Sequence, residues 1–140
     1  MSITFHFQKK IKLDNRIKLK SFIQIFETTE KIKFSKIDFI FCTDEYILDI
    51  NKRYLNHHYF TDIITFDLTE QQNLTVGEVY ISVDTVQKNA IQYGTSFNNE
   101  LHRVIFHGIL HLCGYKDKKK EDQKTMRHKE NFYLSKYFES

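Results

Sequence analysis

The sequence predicts a single α+β domain covering residues 1–140, a mixed sheet of about four strands packed with about five helices, with a metal site at the end of the central helix. Three observations predict it. Residues 3–7, 37–42, 61–66 and 76–82 are short, rich in β-branched and aromatic side chains, and bounded by polar stretches, as strands are. The longer stretches between and after them repeat apolar residues at helical spacing. The length of 140 residues suits one compact core, and no internal repeat, low-complexity tract or linker divides it.

The elements follow in order. Ile3-Thr4-Phe5-His6-Phe7 alternates as an opening strand, with His6 as a plain strand-face residue. Asp14-Asn15-Arg16 starts a helix, because short polar side chains there accept from the unpaired N–H groups of a first turn. Ile17, Leu19, Phe22, Ile23, Ile25 and Phe26 give this helix an apolar side as far as Glu30. Residues 37–42 form a second strand. Thr43 then caps a helix running to Leu55, with Asp44 and Glu45 at its positive end. Residues 56–60 are a polar-aromatic loop that feeds the third strand, 61–66. The polar residues 70–73 connect it to the fourth, 76–82, as a hairpin partner. Ser82 or Asp84 caps the next helix, with Val86, Ala90, Ile91 and Tyr93 on its buried side and Gly94 at its end. The central helix begins near Phe97 or Asn98. Beyond Asp117, the charged residues 118–124 open a last helix that Met126, Phe132, Tyr133, Leu134, Tyr137 and Phe138 anchor to the core.

The central helix carries the chemistry. At ~100° per residue, His107 and His111 differ by only ~40° around the axis, and Glu100 and Arg103 fall on the same side. Leu101, Ile105, Gly108, Ile109 and Leu112 project the other way, toward a core. Imidazoles at i and i+4 are about 5–6 Å apart at Cβ, close enough to share one ion. Gly114 ends the helix, since glycine adopts a positive φ without a Cβ clash, and the turn lets Asp117 swing back toward the histidines. Three protein ligands leave a fourth position open, the form of a catalytic zinc site rather than a structural one. Zinc peptidases place a glutamate directly after the first histidine as general base; here that position is Gly108. Cys113 follows His111 closely, but its angle directs it away from His107.

Charge and composition narrow the class. Lys and Arg total 21 against 18 Asp and Glu, for a formal charge of +3, which permits a polyanionic partner without requiring one. The N-terminus lacks a charged region followed by a long apolar run, so no secretory signal is expected. No stretch is long and apolar enough for a membrane span. Cys42 and Cys113 are therefore expected to be reduced thiols in a cytoplasm.

The run His107-Gly108-Ile109-Leu110-His111-Leu112-Cys113-Gly114-Tyr115 closely resembles the signature of the YbeY family of bacterial endoribonucleases, also called rRNA maturation factors. Further blocks agree in order and spacing: residues 48–54 with Asn51, residues 61–66 and 77–82, then Glu100, Met126 and Glu130. The resemblance implies a small α+β fold, one zinc ion, cytoplasmic residence and a role in processing small-subunit ribosomal RNA. Two positions depart from the family pattern. Asp117 stands where the third ligand is usually a histidine, which adds negative charge and lessens the ion's pull on bound water. Leu55 stands where an arginine is common.

Metal-assisted phosphodiester hydrolysis is the expected mechanism, with zinc on His107, His111 and Asp117 activating a water. Arg103 either clamps a phosphate or pairs with Glu100. Glu100 either holds the free N–H of a histidine or carries a proton. Tyr54, His57, His58 and Tyr59 are candidates for stacking on unpaired bases. The expected partners are single-stranded or ribosomal RNA and the ribosome or its small subunit, with no membrane. Two other readings stay open: a ribosome-assembly factor braced by structural zinc, and a zinc peptidase.

Overall fold

Strand alternation puts successive side chains on opposite faces of a sheet, and here each face finds its own cover. Ile37, Phe39 and Phe41 face one way with Val79 and Ile81, into the main core. Cys42 and Ile64 face the other way, into a smaller cluster with Tyr80 and Phe66 at its edge. The computed structural model describes residues 1–57 and 61–139. In chain order it contains β1 (Ser2–Phe7), α1 (Arg16–Glu30), β2 (Phe34–Cys42), α2 (Asp44–Leu55), β3 (Ile63–Asp67), β4 (Thr75–Ser82), α3 (Val83–Tyr93), α4 (Phe97–Leu112) and α5 (Lys120–Glu139). The sheet order is β1-β2-β4-β3. The first three of these strands pair in parallel, and β3 pairs antiparallel to β4, as the expected hairpin. This is the single-domain α+β fold with a mixed sheet that the sequence predicted.

The main core joins that sheet face to α1, α3, α4 and α5. The second face carries Ile47 and Ile50 of α2. The caps are local and satisfied. Asn15, Thr43, Ser82 and Ser96 each accept from a backbone N–H three residues on. Ser82, rather than Asp84, caps α3.

Several expected core residues lie outside it. Ile17 and Ile25 of α1, Ile91 and Tyr93 of α3, and Phe132 and Phe138 of α5 are all exposed, Ile91 at 83%. The reason is angular. The buried residues of α1 are Leu19, Phe22, Ile23 and Phe26; those of α3 are Val83, Val86 and Ala90. Ile91 is one position past Ala90, a rotation of about 100° that carries it off the stripe. Phe132, one position before Tyr133, and Phe138, one past Tyr137, are rotated off their stripe by the same angle. The third strand also starts later than expected, at Ile63, so Thr61 and Asp62 precede the ladder.

Candidate metal centre

α4 delivers both imidazoles, and Gly108 sets how closely that helix lies on the sheet. A Cβ at Gly108 would stand 2.8 Å from Val79 Cγ1 and 3.0 Å from Ile63 Cδ1. Position 108 therefore faces β3 and β4, and a larger side chain there would enter the sheet. Leu101, Ile105, Ile109 and Leu112 are buried on that side. His107 and His111 remain half-buried on the other, with their rings nearly perpendicular at 83°.

The turn after α4 brings back the third group. Gly114 takes φ +101, a left-handed conformation that side chains resist. Its N–H donates to His111 O, and Tyr115 N–H donates to Leu110 O. Asp117 Oδ2 then comes within 3.1 Å of His107 Nε2 and 3.4 Å of His111 Nε2. The two Nε2 atoms are 2.9 Å apart.

Each ring is held from behind. Nδ1 of His107 lies 2.6 Å from Glu130 Oε2, and Nδ1 of His111 lies 2.9 Å from Tyr115 O. A carboxylate and a carbonyl only accept, so both rings carry their proton on Nδ1 and aim the Nε2 lone pair inward. Two lone pairs and a carboxylate oxygen thus converge on one point. Ligands about 2.0–2.1 Å from a tetrahedral zinc ion lie roughly 3.3–3.4 Å from one another; the three separations here are 2.9, 3.1 and 3.4 Å, so the nitrogens need part only slightly to admit the ion. Among the described residues, His107, His111 and Asp117 form the one group able to hold a metal ion in this way.

The electrostatics agree. Burial alone would lower the His107 imidazole, but Glu130, with Asp62 and Asp117 behind it, outweighs burial and holds it above the ordinary histidine value. Burial and the neighbouring His107 push His111 below that value. The carboxylates around His107 thus favour positive charge at this cluster.

Glu130 is the residue that sequence reasoning undervalued. Its side chain is 6% exposed, and it accepts from Arg103 Nη1 at 3.0 Å as well as from His107. Burial would raise its carboxyl, but His107 and Arg103 outweigh burial and keep it below the usual range. Arg103 Nε also lies 3.8 Å from Glu100 Oε1. Arg103 thus bridges two carboxylates, and Glu130, not Glu100, takes the His107 N–H. Glu100 is buried, which pushes its carboxyl up against the pull of Arg103. Asp62 was read only as part of a strand. It lies in the site's field, where burial raises its carboxyl against the pull of His107.

Two open cavities flank the histidines. One, of about 950 Å³, runs along α5 past Lys120, Lys124, Arg127 and His128. The other, of about 740 Å³, lies toward α2 and β3 and includes Asn51, Leu55, His57 and Asp62. Tyr54 is exposed, with its ring 6.1 Å from that of Phe66. His58 and Tyr59, the other proposed base contacts, lie outside the described residues. Cys42 and Cys113 are free thiols that burial pushes up to about 12, so both stay protonated.

The comparisons with known proteins point one way. The family model described as Endoribonuclease YbeY matches residues 3–138. The Endoribonuclease YbeY of Bacteroides thetaiotaomicron is 48% identical over 118 residues, covering 78% of this chain and 85% of that protein. Its namesake from Karelsulcia muelleri is 41% identical over 133 residues, covering 94% of this chain and 93% of its own. A solution structure from Thermotoga maritima shares the fold, with a TM-score of 0.62 at 24% identity over 99% of this chain and 89% of that one. With a match running almost end to end, this chain belongs to the YbeY family.

Proposed function

We propose that this chain is a zinc-dependent endoribonuclease that cuts single-stranded RNA during maturation of small-subunit ribosomal RNA. It would act in the cytoplasm, on the ribosome or its small subunit. Its relatives carry the name endoribonuclease. The observation that carries the metal part is the convergence of His107 Nε2, His111 Nε2 and Asp117 Oδ2, each ring fixed with its proton turned outward.

A zinc ion held there supplies Lewis acidity toward a phosphoryl oxygen and lowers the pKa of a water. The protein does the rest. Glu130 holds the His107 ring in one tautomer and raises its basicity as a ligand. Arg103 neutralises Glu130 and Glu100, and this pairing, rather than a direct phosphate clamp, is the part we assign it in catalysis. Glu100, buried with its carboxyl pushed up, remains the candidate proton carrier. Lys120 and Lys124 are exposed on the cavity beside His107 and supply cations for an RNA backbone.

The peptidase reading loses ground on one specific point. Position 108, where a peptidase has its base, faces Val79 and Ile63 of the sheet. The test is cleavage of a single-stranded RNA by the zinc-loaded protein, beside a peptide substrate. RNA cleavage lost in His111→Ala, with the fold intact by circular dichroism, supports the proposal. Zinc uptake without RNA cleavage would favour the assembly-factor reading.

A further inference from the structure

Glu30 is an odd place for a buried carboxylate. It is the last residue of α1, where the helix dipole disfavours negative charge, yet its side chain is only 7% exposed. Burial alone would raise its carboxyl, but donors from three side chains outweigh burial and hold it below the usual range. Tyr115 Oη donates to Oε1 at 2.6 Å, Lys129 Nζ donates to Oε2 at 3.2 Å, and Tyr133 Oη donates to the same oxygen. Through the Tyr115 phenol this carboxylate reaches the turn after α4.

Backbone N–H groups of Gly114 and Tyr115 close that turn onto His111 O and Leu110 O. Gly114 and Lys116 on either side of Tyr115 are exposed. Tyr115 is the one residue of the three that packs on the main core. Its carbonyl is the acceptor for His111 Nδ1 at 2.9 Å, and Asp117 lies two residues further on. A hold on the Tyr115 side chain therefore adds to these backbone bonds in fixing the acceptor that orients His111 and the approach of Asp117.

We infer that Glu30 and Tyr115 are positioning residues for the metal centre: Glu30, through the Tyr115 phenol, fixes the peptide carbonyl that sets the tautomer and direction of His111. The two histidines are thus oriented from different directions. His107 is held by a carboxylate on α5, and His111 by a carbonyl that α1 anchors from 85 residues away. The inference rests on the metal-binding role proposed for His111, but not on any RNA activity.

The test compares Tyr115→Phe and Glu30→Gln with Tyr133→Phe. Tyr133→Phe removes a different donor to Glu30 and leaves the Tyr115 contact in place. Two quantities are read: zinc affinity by chelator competition, and the histidine tautomers of the metal-free protein by ¹⁵N NMR at a pH where both rings are neutral. Tyr115→Phe and Glu30→Gln are expected to weaken zinc binding by about 10–100-fold, the usual loss when a group behind a ligand is removed. His111 is expected to lose its fixed Nδ1–H form in both, while His107 keeps its own. Tyr133→Phe is expected to lower thermal stability without changing either readout. Wild-type zinc affinity and an unchanged His111 tautomer in both Tyr115→Phe and Glu30→Gln would overturn the inference and leave Glu30 as a brace between helices. If Tyr115→Phe does not fold, Glu30→Gln carries the same two readouts. If the wild-type chain takes up no zinc, the proposed activity fails, while the tautomer comparison still decides this point.

Discussion

His107 Nδ1 lies 2.6 Å from Glu130 Oε2, and this contact ties α4 to α5 across the back of the candidate metal centre. The same carboxylate accepts from Arg103, so one buried group serves a histidine of the candidate centre and a cation together.

Glu130→Gln tests that arrangement. The amide keeps the size of the side chain but removes the charge that raises His107. Zinc affinity is expected to fall about 10–100-fold. Arg103 loses its closest anion, so the melting temperature falls too. Chelator competition and a thermal melt read the two effects, and unchanged zinc affinity would count against the role given to Glu130.

Gly108→Ala tests the seating of α4. The new Cβ would press on Val79 Cγ1 at 2.8 Å, and Val79 is fully buried. Overpacking of this kind costs about 1–3 kcal/mol. Urea unfolding is expected to show that loss, with a lower RNA cleavage rate as the histidines shift. A variant as stable as wild type would mean that the helix does not lie as described.

His102 predicts a response to acid. It is buried, with Nδ1 2.7 Å from Asn98 O, its ring stacked on Tyr137, and no partner for Nε2 among the described residues. Burial pushes its imidazole below the ordinary value. The unfolded chain therefore takes up a proton at about pH 6.5 that the folded chain refuses, and stability is lost as pH falls from there toward the folded value. His102→Phe keeps the stacking and removes the titration. The drop in urea midpoint from pH 7 to pH 5 is expected to be smaller in the variant; an equal drop would show that His102 contributes nothing to acid lability.

Lys120 and Lys124 test the cavity along α5 as the path of the RNA backbone. Each phosphate contact on a single strand adds about 0.7 to the slope of log affinity against log salt, so replacing both lysines by Gln flattens that slope by roughly 1.4. Binding is best measured in His111→Ala, where no cleavage intervenes. An unchanged slope would move the RNA path to the other cavity, beside His57 and Asp62.

The features legible in the sequence are those that local geometry fixes. A spacing of four from His107 to His111 fixes a common face whatever surrounds the helix, and Gly114 marks the turn that returns Asp117. Alternation likewise marked the strands. What could not be read depends on distant chain segments. Glu130 sits 23 residues beyond His107, and only the packing of α5 on α4 makes them neighbours. Asp62 looked like strand, yet the ladder begins at Ile63. Ile91 and Phe132 looked like core, because one step of about 100° around a helix is invisible in a list of apolar residues. Glu30 gave no signal, since its partners come from the turn after α4 and from α5.

The most direct test of the central claim is zinc content measured together with cleavage of single-stranded RNA, for the wild-type chain and for Asp117→Ala. One zinc per wild-type chain, lost along with RNA cleavage in the variant, is the predicted result. A wild-type chain that cuts RNA equally well after its metal has been stripped and kept away would contradict it.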